Sequence, residues 1–251
     1  MALQEEFKTQ GDFLFKYRSN LPLVILLLGV AVFIYQVYFE QLYFTGIKQQ
    51  WYNLVCLAVC FLGLIVRIIT VGYTPKNTSG RNTAVGQLAD VLNTKGIYST
   101  VRHPLYVGNF FMWFGISLLT QAAWFNIAFV LAYWVYYERI MYAEESFLRS
   151  KFGDIYLKWA EGVPAFIPSL KNHVKTDLQF SIKKVLRSEK NGFVAIFVLF
   201  YLFIVIQMII EQGKYTFILD SWSIATIASI VIYLILKFLK HKTKTLDQEG
   251  R

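Results

Sequence analysis

The residues best suited to chemistry lie in two short stretches: Arg102-His103 directly before Pro104, and Glu144-Glu145 further along, with Tyr98 and Tyr106 on either side of the first pair. Proline has a fixed φ and no amide hydrogen, so Pro104 suits the first turn of a helix. Arg102 and His103 then sit where free amides and the helix dipole favour an anion, and their own charge reinforces that preference. In the second stretch, helical spacing puts Tyr137, Met141, Glu144 and Leu148 on one stripe and Glu138, Tyr142, Glu145 and Arg149 on the next. The second stripe reads as a solvated face with a Glu145 to Arg149 pair. Glu144 projects from an apolar stripe, where a lone carboxylate is costly and needs a cation or donor. If the two stretches meet, an anion site lies beside a cation site, which is what a zwitterionic amino-acid moiety requires. The same residues fit equally well a structural Arg–Glu or His–Glu bridge. Glu144→Gln is expected to be more damaging than Glu145→Gln.

The elements that must position these residues are read from composition. Of 251 residues, 56% are hydrophobic, 18% aromatic and only 16% charged; soluble domains carry about a quarter charged residues. A soluble enzyme is excluded on that ground. Uncharged stretches near the ~20 residues needed to cross a bilayer run over 21–39, 51–73 (interrupted by Arg67), 104–137, 192–210 and 215–236, the last interrupted by Asp220. The 104–137 stretch would be about 51 Å long as a single helix, so a tight hairpin of two helices turning near Thr120, Gln121 and Asn126 is expected. The predicted fold is an all-α integral membrane protein of about six transmembrane helices, with the hairpin at the third and fourth spans.

Lys and Arg gather near span ends on the cytoplasmic side. Successive connecting segments hold 3, 1, 4, 0, 10, 1 and 5 of them; with Arg67 these make the full 25, and 22 fall in alternate segments. Both termini and the loops 74–103 and 138–191 are therefore expected in the cytoplasm, which also accounts for the net charge of +9. Lys171 to Lys190 reads as a basic amphipathic helix on that surface or as an ordinary solvated linker, and Arg67 as a snorkelling side chain. Cys56 and Cys60 read as packing residues, with no metal site expected. Gly80 to Gly86 lacks the lysine of a phosphate loop and reads as a flexible turn. Asn77-Thr78-Ser79 is a glycosylation sequon that cytoplasmic placement would leave unused. With so few buried charges, transport is disfavoured.

The ordered pattern Gly96, Tyr98, Arg102-His103-Pro104-Leu105-Tyr106, Gly108, Glu144-Glu145, Phe152-Gly153, Tyr156, Trp159, Pro164 and Pro168 resembles the isoprenylcysteine carboxyl methyltransferase and phospholipid methyltransferase superfamily of integral-membrane methyltransferases. The resemblance covers about residues 83–170 and implies S-adenosyl-L-methionine bound at the cytoplasmic face, with a lipid or lipid-linked acceptor entering from the bilayer. It implies Leu92, Asn93, Gly96, Tyr98, Arg102, His103, Pro104, Leu105, Tyr106 and Glu144 as the cofactor site, and Glu144, Glu145 and Arg139 as the residues nearest the reaction. Gln87 corresponds to a family glutamine once a gap is allowed. The expected organisation is an N-terminal part with two helices (1–82), a methyltransferase core (83–170), a basic interfacial linker (171–191) and two C-terminal helices with a basic tail (192–251). Carboxyl or phosphate O-methylation is favoured. Phospholipid amine N-methylation and a non-enzymatic membrane scaffold are the alternatives, and no nucleic-acid partner is expected.

Overall fold

The computed structural model describes residues 2–18, 20–75, 81–83, 86–248 and 250. Among the described residues, eight helices carry the fold: α1 (Leu3–Lys16), α2 (Leu21–Tyr38), α3 (Gly46–Gly72), α4 (Pro104–Leu118), α5 (Ala123–Phe152), α6 (Asp154–Gly162), α7 (Ile182–Gln212) and α8 (Ser221–Lys242). A small antiparallel pair, β1 (Arg81–Thr83) and β2 (Gly86–Leu88), joins Thr83 to Gly86 in register. Gln87 is on β2 opposite Asn82, and residues 80, 84 and 85 of the Gly80 to Gly86 stretch and the whole sequon at 77–79 lie outside the described residues.

Three helices, α3, α7 and α8, are long and apolar enough to cross a bilayer. The apolar part of α2 is shorter, Pro22–Tyr38. At 15 residues, α4 is about 22 Å long, less than the ~30 Å hydrocarbon thickness. Large apolar side chains such as Leu27 (70%), Ile127 (63%) and Trp124 (62%) are turned outwards. In water such a surface would aggregate; in lipid it is solvated.

Two of the three core clusters among the described residues lie within the bundle. One joins α2, α3, α4 and α7 through Phe33, Cys56, Cys60, Leu64, Ile116 and Phe200. The other packs α1 against α5 and α4 through Phe15, Phe129, Tyr133, Tyr137 and Ile140. Helices α3 and α4 approach closely where Gly63 faces Gly108: a methyl group on Gly63 would collide with the Gly108 carbonyl, and one on Gly108 would lie 2.5 Å from Arg67 Cγ. Residues 119–122 connect α4 to α5, and the Tyr133 hydroxyl of α5 donates to the Tyr106 carbonyl of α4 at 2.6 Å.

Several expectations are corrected. Residues 3–16, part of a polar lead on sequence, form α1 and pack on α5. The stretch 171–190 is not one surface helix: 170–172 is a single 3₁₀ turn, and α7 starts only at Ile182, where the Ser181 hydroxyl accepts the Lys184 amide. From there α7 runs without a break to Gln212. Arg67 does not snorkel, because its guanidinium binds Glu189 of α7 through two hydrogen bonds of 2.7 and 2.9 Å and Asn109 of α4 at 2.5 Å. Asp220 is the N-cap of α8, in a reciprocal capping box with Ser223, which explains a charge at the edge of that apolar stretch.

Candidate active site

The Arg102-His103 segment is pinned from outside the helices. The Arg102 and His103 amides donate to the carbonyls of Pro164 and Ala165 at 2.9 and 3.1 Å, and the Ser169 amide donates to the Thr100 carbonyl at 2.9 Å. The chain after α6 thus lies alongside residues 100–103, and the prolines of the motif belong to that strap. Gly96 has φ +62°, a left-handed value that favours glycine, and its amide donates to Val174 at 2.8 Å. It turns the chain into the 3₁₀ turn Ile97–Ser99.

Pro104 opens α4 as expected, with His103 at its N-cap. From that position the imidazole reaches α5. Its Nε2 is 2.9 Å from Glu145 Oε1, and its Nδ1 is 3.5 Å from Glu144 Oε2. Tyr106, one turn into α4, donates its hydroxyl to the same Glu144 oxygen at 2.9 Å and stacks on the imidazole, with ring centres 5.5 Å apart. Arg102 Nη1 donates to the Ala160 carbonyl at 2.8 Å. Its Nε lies 2.9 Å from Glu145 Oε1 without pointing its hydrogen at that oxygen, so this contact is ionic only. His103 and Glu144 are each 5% exposed.

Burial by itself would push His103 towards the neutral form. The hydrogen bonds and charges of Glu144 and Glu145 outweigh it and raise His103 from 6.5 to about 9. Burial likewise pushes both carboxyls up, but their hydrogen bonds to His103 and its charge hold Glu144 and Glu145 below the ordinary 4.5. The cluster at neutral pH is an imidazolium between two carboxylates, with Arg102 alongside.

This cluster separates two cavities. A small one of about 20 Å³ is lined by Leu92, Asn93, Tyr98, Arg102, His103, Glu144, Leu148, Tyr156 and Trp159. A large one of about 1340 Å³ meets the other side of the cluster at Tyr98, Arg102 to Tyr106 and Glu144, and extends along α3, α4 and α7. Among the described residues, Asn93 Nδ2 is buried here with no hydrogen-bond partner, and Arg102 Nε and the Tyr156 hydroxyl are buried beside Glu145. Buried polar groups are normally satisfied, so the Asn93 amide fits a polar ligand entering the site. Of the residues named for a cofactor, all but Gly96 line one cavity or both.

Two site expectations change. Glu145 is not on a solvated face paired with Arg149; it binds Arg102 and His103. Arg139 is not brought to the cluster: its Nε donates to Gln10 of α1 at 3.1 Å and its guanidinium lies over the Phe7 ring at 4.7 Å. Tyr156 and Trp159 stand in the motif but were not placed in the site. The Tyr156 hydroxyl is buried beside Glu145, which with burial raises it above its ordinary value, and Trp159 Nε1 donates to the Tyr98 carbonyl at 3.3 Å. Their positions just after Phe152-Gly153, on α6 folded back by a glycine at φ +54°, are the signal that marks them.

Fold and site together define an integral membrane protein whose buried ion cluster faces a large intrahelical cavity. The phospholipid methyltransferase family profile matches residues 51–155. The protein-S-isoprenylcysteine O-methyltransferase of Tribolium castaneum is 32% identical over 141 residues, 54% of this chain and 49% of that protein. Protein-S-isoprenylcysteine O-methyltransferase B of Arabidopsis thaliana is 35% identical over 138 residues, 51% of this chain and 66% of that protein. The probable protein-S-isoprenylcysteine O-methyltransferase of Oryza sativa subsp. indica is 30% identical over 139 residues, 53% of this chain and 70% of that protein. This chain therefore belongs to the isoprenylcysteine carboxyl methyltransferase and phospholipid methyltransferase superfamily of integral-membrane methyltransferases. It spans about half the length of the Tribolium relative. No solved structure matches it.

Proposed function

We propose that the chain is an S-adenosyl-L-methionine-dependent methyltransferase that modifies a lipid or lipid-linked acceptor, by O-methylation of a carboxylate or phosphate. The observation that carries this reading is the buried His103–Glu144–Glu145 cluster at the wall of the 1340 Å³ cavity. The names of the relatives support a lipidated acceptor. The proposed topology is six spans with both termini, and the site, at the cytoplasmic face.

The cofactor would be held by Leu92, Asn93, Tyr98, His103 to Tyr106 and Glu144. When bound it supplies an electrophilic sulfonium methyl group. Asn93 Nδ2, a donor with no acceptor among the described residues, and Arg102, whose charge is shared with Glu145, are suited to a carboxylate. Glu144 and Tyr106 keep a fixed negative edge beside them. The protein's main contribution is to hold two reactants in line, which can lower a barrier by about 7–11 kcal/mol, with water excluded so that charge contacts strengthen.

Protonation separates the candidate acceptors. A carboxylate or phosphate is already nucleophilic and needs no base. An amine must lose a proton, yet Glu144 and Glu145 are both held as anions by His103 and are weak bases. The test is purified protein in detergent with methyl-labelled cofactor and total membrane lipid. Base-labile label is expected for a methyl carboxyl ester, base-stable label is assigned to a methyl phosphodiester or to N-methylation by mass spectrometry of the headgroup, and no transfer together with no cofactor binding by calorimetry would leave only a scaffold role.

A further inference from the structure

The large cavity ends in a corner built by α7 and α8, beyond the matched residues 51–155. Lys190 of α7 is only 6% exposed and lines that cavity; its ammonium donates to the Arg187 carbonyl at 2.8 Å. Lys240, in the last turn of α8, lines the same cavity and lies beside Lys190, with Arg187 close by. Among the described residues neither Lys190 nor Lys240 has a carboxylate partner. The neighbouring Glu189 is taken by Arg67, and Arg187 has only a solvent-exposed contact with Asp247. A buried ammonium without counter-charge is costly, and a second cation beside it raises that cost. An anion bound between them removes it, because charged donors make their strongest hydrogen bonds to anionic oxygens.

The rest of the cavity says what bears the anion. Val71, Met112, Trp113, Ile196 and Leu199 give the same cavity an apolar wall. The lining thus combines a cluster of cations with an apolar stretch, the pattern of a headgroup and chain. Lys190 and Lys240 add their charge beside an Arg187 that is paired with Asp247, and a phosphate presents several charged oxygens to several donors where a carboxylate presents a single charge.

We propose that Lys190, Lys240 and Arg187 bind the phosphate of a phosphate-bearing lipid, which anchors the acceptor in the cavity. Describing that lipid as the acceptor rests on the methyltransferase reading; the binding site itself does not. The experiment uses the full chain in detergent, with dioleoyl phosphatidic acid, dioleoylglycerol and inorganic phosphate as probes and native mass spectrometry as readout. Phosphatidic acid should bind at least about tenfold more tightly than dioleoylglycerol, and the double variant Lys190→Gln/Lys240→Gln should lose that advantage. Lys190→Arg should keep it, which controls for folding. Calorimetry with S-adenosyl-L-methionine runs in parallel: unchanged cofactor affinity in the double variant assigns the loss to the lipid site. Wild-type protein that binds phosphatidic acid but no cofactor would end the methyltransferase reading and leave the site standing. Equal binding of the two lipids, or a double variant that binds phosphatidic acid as wild type does, overturns the site. Displacement by inorganic phosphate at concentrations as low as the lipid's own would make it a free-phosphate site and overturn the lipid assignment.

Discussion

His103 has a carboxylate near each ring nitrogen, Glu145 at Nε2 and Glu144 at Nδ1. A neutral imidazole has one donor, and only the protonated ring can donate in both directions. The two carboxylates and the proton therefore stabilise one another. For His103, raised to about 9, this contribution is complete below pH about 6.5, declines as pH rises and is gone above 9. For Glu144 and Glu145, held below 4.5, it is present above about 4.5 and lost as pH falls through their depressed values. Thermal unfolding of the detergent-solubilised protein should show a midpoint that falls between pH 6.5 and 9, and His103→Asn should flatten that limb. A wild-type midpoint independent of pH there would refute a protonated His103. The cluster also changes the expected ranking of the acids. Both Glu144→Gln and Glu145→Gln should lower cofactor affinity in calorimetry, within about tenfold of each other, while Arg149→Ala leaves it unchanged. Position 144 is readable from sequence because a carboxylate on an apolar stripe needs a partner. Position 145 is not, since helical period assigns it to the next stripe, and nothing local reveals that His103 inserts between the two.

At the scale of the elements, three helices are held together by one ion cluster. Arg67 on α3 binds Glu189 on α7 and Asn109 on α4, and Glu189 has a side chain only 5% exposed. Removing one partner of such a buried pair costs about 3–5 kcal/mol, whereas replacing both with apolar residues is often neutral. Glu189→Gln should therefore lower the unfolding midpoint strongly, and Arg67→Met/Glu189→Leu should recover most of the loss; a double variant as unstable as the single would refute this account. The Gly63 to Gly108 contact sets the other limit on α3 and α4. Gly63→Leu should destabilise by at least the 1–3 kcal/mol or so typical of overpacking, because the obstructing atom is the Gly108 backbone carbonyl. Apolar stretches and Pro104 make the helices visible in the sequence. The ties between them are not, because Arg67 and Glu189 are 122 positions apart and each alone reads as an interfacial charge. The extent of α7 is hidden for a similar reason: the charges of 183–190 look like a surface segment until Arg67 and the cavity account for them.

At the scale of the whole molecule, the arrangement of basic residues and the place of the site support the same topology. Arg102, Lys184, Arg187, Lys190 and Lys240 all line the cavity that His103 and Glu144 also line. A membrane protein keeps such a concentration of positive charge on the cytoplasmic side. The turn between α4 and α5 carries no charged residue over 119–123 and lies one α4 length away from the His103 end of that helix, about 22 Å. With α4 shorter than the bilayer core, this turn would sit shallow in the opposite interface, where the exposed Trp124 is suited to the headgroup region. Single-cysteine labelling with a membrane-impermeant maleimide decides the matter, in a background where Cys56 and Cys60, both fully buried, are replaced by Ala or Ser. Ala123→Cys should be modified from the non-cytoplasmic side of intact cells, and Thr245→Cys, on the exposed segment after α8, only after the membrane is opened. Labelling of both positions from the same side would overturn the six-span arrangement and would require α4 and α5 to re-enter the membrane without crossing it. The ion cluster would survive that outcome, because His103, Glu144 and Glu145 meet at the joined ends of α4 and α5 whichever leaflet those ends face.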